Sequence, residues 1–205
     1  MDKYPGKLIV FEGCEGSGKS TLIKTIGEIL RNRNRNRVND VVETKEPNGR
    51  ARDILLNRNY HLTAKEELAI FIEGRAEHFS EIVIPALIRG AVVLCDRSTY
   101  STIACQHYGR GLDLTKILVR DARARQNIDF DLIILLDIDP VVGLARKKPE
   151  TRFELEDIEF HNRVRQGYLE QAKLDPYNWV VIDASKPADE VKSEAREIIL
   201  KFLNR

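Results

Sequence analysis

The sequence predicts an α/β fold, a parallel sheet with helices on both faces. Three observations carry that prediction. Five short apolar runs, each bounded by polar or turn residues, recur along the chain. Patterns with helical spacing lie between them, and the first run leads straight into a glycine-rich loop that opens one of these patterns. Strands buried on both faces read as continuous apolar runs, and strand–helix alternation feeds a parallel sheet.

Lys7 to Phe11 is the first strand; after the loop, Leu22, Ile23, Ile26, Ile29 and Leu30 recur at helical spacing. Val38 to Thr44 is the second strand. A long helical pattern follows from Glu66 to Ile88, carried by Leu68, Phe71, Ile72, Phe79, Ile82 and Val83, with Pro85 expected to kink or end it. Ala91 to Cys95 is the third strand, Leu114 to Arg125 a helix, Leu132 to Ile138 the fourth strand, and Phe160 to Ala172 a helix. Trp179 to Ile182 is the last strand, and Val191 to Leu203 the last helix. No repeat or linker interrupts this order, and 205 residues that are 42% hydrophobic suit a single domain spanning 1–205.

With 33 basic against 32 acidic residues, no global field points to nucleic acid or to an anionic membrane. Neither is expected as a partner. The longest early apolar run, Leu8 to Phe11, is far below the roughly 20 residues of a membrane span, and no cleavable signal follows it, so a cytoplasmic location is expected. Cys14, Cys95 and Cys105 lack the paired spacing of a disulfide framework or a zinc site and are expected as reduced thiols. The run Arg31 to Arg37 (RNRNRNR) has no aromatic residue for base stacking and reads as a solvated connection that complements a helix C-terminus.

The loop Gly13-Cys14-Glu15-Gly16-Ser17-Gly18-Lys19-Ser20, followed by Thr21, fits G-x-x-x-x-G-K-[ST] in the required place between strand and helix. Its backbone N–H groups suit a β-phosphate, Lys19 the β and γ oxygens, and the Ser20 hydroxyl a Mg²⁺ ion. A bound nucleoside triphosphate is expected, with motor, switch, carrier and kinase all open. Glu15 is the odd member, a carboxylate where negative charge should be repelled. After the third strand, Asp96 and Arg97 stand at the carboxyl edge of the sheet, where ligands of open α/β sheets bind, and an arginine fork there suits a second phosphate. Arg146, Lys147, Lys148 and Arg152, four cations in seven residues, make a polar segment at about 146–155 that reads as a lid.

These motifs together resemble the thymidylate kinase family, over Lys7 to about Ile199. The resemblance is carried by FEGCEGSGKST at 11–21, TKEPNG at 44–49, AIFIEGR at 69–75, DRSTYSTIACQ at 96–106, YGRG at 108–111, LLDIDPVVGLAR at 135–146, RFE at 152–154 and VIDAS at 181–185. It implies a five-stranded phosphate-loop fold of the nucleoside monophosphate kinase type that moves the γ-phosphate of ATP to dTMP, with Mg²⁺ and as a homodimer. By the same resemblance Glu15 accepts a hydrogen bond from the 3′-hydroxyl of the acceptor, and so reads sugar rather than phosphate. Phe71 stacks on the pyrimidine, Arg75 meets its edge, and Gln106 sits beside it. Lys45 and Arg97 hold the acceptor phosphate, Ser101 lies with them, and Asp96 assists the metal or orients the attacking oxygen. The absence of a basic residue in the loop implies a lid-type enzyme, with Arg152 and Arg146 on the transferred phosphate, or with Arg146 flanking the adenine beside Lys186.

The chain departs from the family pattern at Asn48 and Arg50, where glycine and threonine are usual, at Thr151 for aspartate, and at Cys105 for a tyrosine near the sugar 2′ position. Phosphorylation of another pyrimidine monophosphate (dUMP, UMP or CMP) is the nearest alternative. A phosphate-loop NTPase switch is the more distant one.

Overall fold

A computed structural model of the chain describes residues 4–33, 40–146 and 148–204. The expected strands form as β1 (Lys7–Glu12), β2 (Val41–Lys45), β3 (Val92–Asp96), β4 (Leu132–Asp137) and β5 (Trp179–Asp183). They make one parallel sheet in the order β2-β3-β1-β4-β5. β1 is the central strand, with a neighbour on each edge and a helical layer on each face, and Leu8 to Phe11 are at most 1% exposed. That setting demands the unbroken apolar run the sequence shows.

The helices are α1 (Lys19–Arg33), α2 (Gly49–Leu56), α3 (Ala64–His78), α4 (Ile84–Ile88), α5 (Thr99–Thr102), α6 (Leu114–Ala124), α7 (Pro140–Ala145), α8 (Ile158–Leu174) and α9 (Ala188–Leu203). α1 lies against β1, β2 and β3 and beside α9, whereas α8 lies against β4 and β5. α3 begins in a capping box: Thr63 Oγ1 accepts from the Glu66 backbone N–H at 3.3 Å, and Glu66 Oε2 accepts from the Thr63 N–H at 2.8 Å. Pro85 neither ends nor breaks the long pattern outright. A π-helical turn, Phe79–Val83, joins α3 to α4 and places Pro85 in the first turn of α4. Proline lacks an N–H and crowds the carbonyl four residues back, and the widened turn just before it absorbs both defects.

A second π-helical stretch, Ile103–Gly109, continues α5 and packs against α8. Residues 34–39 lie outside the described structure, Asp40 stands before the second strand, which begins at Val41, and only the start of the arginine run is seen. There Arg31 pairs with Glu43 at 2.7 Å. Among the described residues no helix is long and apolar enough to cross a membrane.

Candidate active site

Parallel strands put their carboxyl ends on one edge of the sheet. Here the ends of β1, β2 and β3 deliver the glycine loop, Lys45 and the Asp96–Arg97 pair to a common cavity of about 360 Å³. The far wall comes from Phe71 and Arg75 of α3, from Ser101 and Cys105 of the α5 segment, and from Thr151, Phe153 and Glu154 of the segment between α7 and α8.

The loop is built for close approach. Gly16 has φ +71°, and a Cβ there would lie 1.9 Å from the Gly143 carbonyl oxygen of α7, so no side chain fits. Gly13, Cys14 and Ser17 are inside the turn, while Glu15, Gly16, Gly18, Lys19, Ser20 and Thr21 line the cavity. Lys19 Nζ donates to the carbonyls of Gly13 and Cys14, both at 2.9 Å, and to Ser17 Oγ at 3.1 Å. Burial, and then the neighbouring Arg97, pull its pKa below the ordinary lysine value. Burial also pushes the Cys14 thiol up to about 11, so it stays protonated. Ser20 Oγ donates to Asp96 Oδ2 at 2.6 Å.

Arg97 is the most constrained residue of the site. Its φ of +69° is left-handed, a conformation that costs a side-chain-bearing residue on the order of 1–2 kcal/mol. The Arg97 N–H donates to the Phe11 carbonyl and its own carbonyl accepts from Cys95 Sγ, which hold that backbone. Its guanidinium donates through Nη1 to the Gly13 carbonyl (2.9 Å), Ser101 Oγ (3.2 Å) and Tyr168 Oη (3.0 Å), and through Nη2 to Glu15 Oε1 (2.6 Å). Glu12 sits beneath this turn, fully buried, and accepts from Ser98 N, Ser101 N and Ser101 Oγ. Burial pushes its carboxyl pKa up to about 7, with the Ser101 hydroxyl and Arg97 pulling the other way.

Phe71 and Arg75 share one face of α3, as i and i+4 positions do. Arg75, expected only at a pyrimidine edge, is also a buried structural tie. Nε and Nη2 meet Glu46 at 2.7 and 2.6 Å, Nη2 donates to Thr102 Oγ1 at 3.0 Å, and Nη1 pairs with Asp121. Burial works against that charge, but Glu46 and Asp121 outweigh it and raise the pKa. Glu46 lies close enough to His78 and Cys95 for a metal site. Glu46 and His78 bond each other at 2.9 Å instead, Glu46 also holds Arg75 and Ser98, His78 also bonds Thr44 Oγ1 at 2.7 Å, and burial keeps the Cys95 thiol protonated.

Outside the loop, four expected site residues do not line the cavity. Gln106 is fully buried and donates to Glu67 Oε2 at 2.8 Å. Arg152 turns to the same Glu67 instead of the phosphate loop, because that carboxylate is the nearest buried counter-charge. Arg146 Nη1 and Nη2 each reach a carbonyl at 3.1 Å, those of Gly16 and Ala184, which puts it between the loop and the β5–α9 connection. Lys186 pairs with Glu194 at 3.1 Å on the surface. Lys147 lies outside the described residues. The segment expected as a polar lid contains a 3₁₀ turn, Phe153–Leu155, whose Phe153 ring is 6.0 Å from Phe71.

Arg52, Tyr168, Glu12 and Glu67 were not foreseen as members of the site. Arg52 lines the cavity from α2, a helix with too few apolar positions to show a period. Tyr168 follows Phe160 and Val164 at four-residue spacing and so reads as core. Glu12 stands beside Gly13 at the end of an apolar strand, a position that signals a buried carboxylate.

The family model described as Thymidylate kinase matches residues 11–195. The chain belongs to the thymidylate kinase family. A thymidylate kinase of Pelobacter propionicus is 42% identical, with 93% of this chain and 91% of that protein covered. One of Desulfovibrio desulfuricans is 39% identical, with 96% of each covered. The crystal structure of thymidylate kinase from Ehrlichia chaffeensis superimposes with a TM-score of 0.79 at 32% identity, over 95% of this chain and 100% of that one. The sheet and loop described above are thus those of a thymidylate kinase.

Proposed function

We propose that this enzyme transfers the γ-phosphoryl group of ATP to dTMP, giving ADP and dTDP. One observation carries the reading: Lys19 Nζ and Arg97 Nη1 both donate to the Gly13 carbonyl at 2.9 Å. A cation suited to a triphosphate and a cation at the acceptor edge therefore stand side by side, as in-line transfer between two phosphates requires. An NTPase switch can also use a second cation, but it has no use for the aromatic platform of Phe71 on the acceptor side of Arg97.

An acceptor phosphate oxygen attacks the γ-phosphorus as the bond to the β–γ bridging oxygen breaks, and ADP leaves. Among the described residues, Arg97 Nε and one Nη2 proton have no partner, which leaves that edge for the acceptor phosphate, with Lys45 beside it. Arg75 likewise keeps one Nη1 proton for a carbonyl on the pyrimidine edge. Glu15 faces the acceptor sugar. Ser20 and Asp96 are the hard oxygen donors that suit Mg²⁺, which when bound neutralises charge on the β- and γ-phosphates. The position of Arg146 supports its role beside the adenine. We read the chain as one domain, cytoplasmic and homodimeric, without nucleic-acid or membrane partners; light scattering and cell fractionation check this.

The functional test is ADP production from Mg-ATP with dTMP, dUMP, UMP, CMP or no acceptor. Turnover should require an acceptor and be highest with dTMP. Equal turnover without one would favour the switch, and a higher kcat/KM for another monophosphate would reassign the acceptor.

A further inference from the structure

Glu67 is a buried carboxylate, 1% exposed, that does not line the cavity. It stands on α3 one turn before Phe71, and its partners come from two distant segments. Arg110, just after the α5 segment, donates to Oε1 at 3.1 Å and to Oε2 at 3.2 Å, and Arg152 of the lid pairs with Oε1. Arg110 also meets Glu156, on the far side of the lid turn, at 2.5 Å, with its guanidinium 4.7 Å above the Phe160 ring. Arg152 in turn lies 5.4 Å from the centre of the Phe153 ring. Two carboxylates and two guanidiniums thus grip the lid turn at both ends. Buried ionic clusters of this kind contribute little net stability, and their best-supported use is to select one arrangement.

Residues 67, 71 and 75 recur every four positions along α3, so one rigid face presents the lid anchor, the base platform and the base-edge arginine. We propose that Glu67 is a positioning residue that couples acceptor binding to lid closure. A base held between Phe71 and the lid fixes Phe153, and Glu67 and Arg110 carry that constraint to Arg152 and the rest of the lid. Coupling of this kind is reciprocal, so each nucleotide strengthens binding of the other by one common factor. The proposal rests on the functional reading above.

The test is calorimetric titration of a non-hydrolysable ATP analogue, with and without saturating dTMP, together with steady-state rates. The wild type should show an affinity gain on the order of 10-fold when the other nucleotide is present. In Glu67→Gln the gain should fall towards 1 and kcat should drop by about 10-fold or more, with the affinity for dTMP titrated alone, without the ATP analogue, changed by less than about 3-fold. Arg110→Gln, which leaves the Glu67–Arg152 pair in place, should give an intermediate gain, and it decides the matter if Glu67→Gln does not fold. A gain of 1 in the wild type, a wild-type gain in either folded variant, or an effect confined to KM for dTMP would overturn the coupling. A wild-type chain that does not phosphorylate dTMP would overturn the functional reading, and the coupling with it.

Discussion

Glu15 Oε1 lies 2.6 Å from Arg97 Nη2, so the one acidic residue of the phosphate loop is bound to the arginine that follows β3. The carboxylate that looked out of place beside phosphates is held by Arg97, the residue proposed above to meet the acceptor phosphate. Glu15→Gln keeps the shape and an acceptor oxygen but loses the charge, and hydrogen bonds to charged groups contribute about 1.5–3 kcal/mol. KM for dTMP should rise by about 10-fold or more, with KM for ATP nearly unchanged. Initial rates with each nucleotide varied in turn decide it, and a selective loss of ATP would refute the assignment.

Lys19→Ala and Arg97→Ala should each lower kcat/KM by roughly 10²–10⁴, the usual effect of losing a cation at developing charge. Arg97→Lys should recover little of this. A lysine ammonium cannot reproduce the planar fork that spans Gly13, Ser101, Tyr168 and Glu15. Near-wild-type activity in Arg97→Lys would show that only its charge matters.

Glu12 predicts a pH dependence of stability. Its pKa rises from the ordinary 4.5 to about 7 on folding, so between those values the folded chain holds a proton that the unfolded chain has released. Stability from this group is therefore greatest below about pH 4.5, falls as pH rises towards 7, and is constant above, with a total change on the order of 3 kcal/mol. Glu12→Gln should remove this component. Urea midpoints at pH 5 and pH 8 for both proteins test it, and parallel profiles would contradict it.

Cys105 lines the cavity where the family resemblance places a tyrosine near the sugar 2′ position. Neither nearby tyrosine takes over that space. Tyr100 packs 4.6 Å from Trp179 and 5.3 Å from Phe130, Tyr108 packs 4.8 Å from His107, and neither lines the cavity. Cys105→Tyr should restore a clash with ribose and raise the dUMP/UMP ratio of kcat/KM by about 1–3 kcal/mol of selectivity. An unchanged ratio would mean that residue 105 does not face the 2′ carbon.

The strands and the phosphate loop were legible because their information is local. Leu8 to Phe11 is an unbroken apolar run, and the loop that follows is contiguous in sequence. Asp96 and Arg97 could be placed because a strand end fixes where its next residues go. α2 was hidden because GRARDILL offers too few apolar positions to show a period. The positions of Arg152 and Gln106 were hidden for another reason. Their shared partner, Glu67, is 85 and 39 residues away, and no spacing rule connects such charges before the chain is folded.

The sheet order divides the labour of recognition across β1. Lys45, Phe71, Arg75, Arg97 and Cys105 all belong to the β2–β3 half of the chain, whereas Arg146 and Lys186 follow β4 and β5. Asn48, Arg50 and Cys105, three of the four departures from the family pattern, fall in the first half. Under the functional reading proposed above, a substitution in the β2–β3 stretch changes how the acceptor is read while the donor side keeps its residues. A lineage can in this way alter which nucleotide it phosphorylates without relearning how to use ATP.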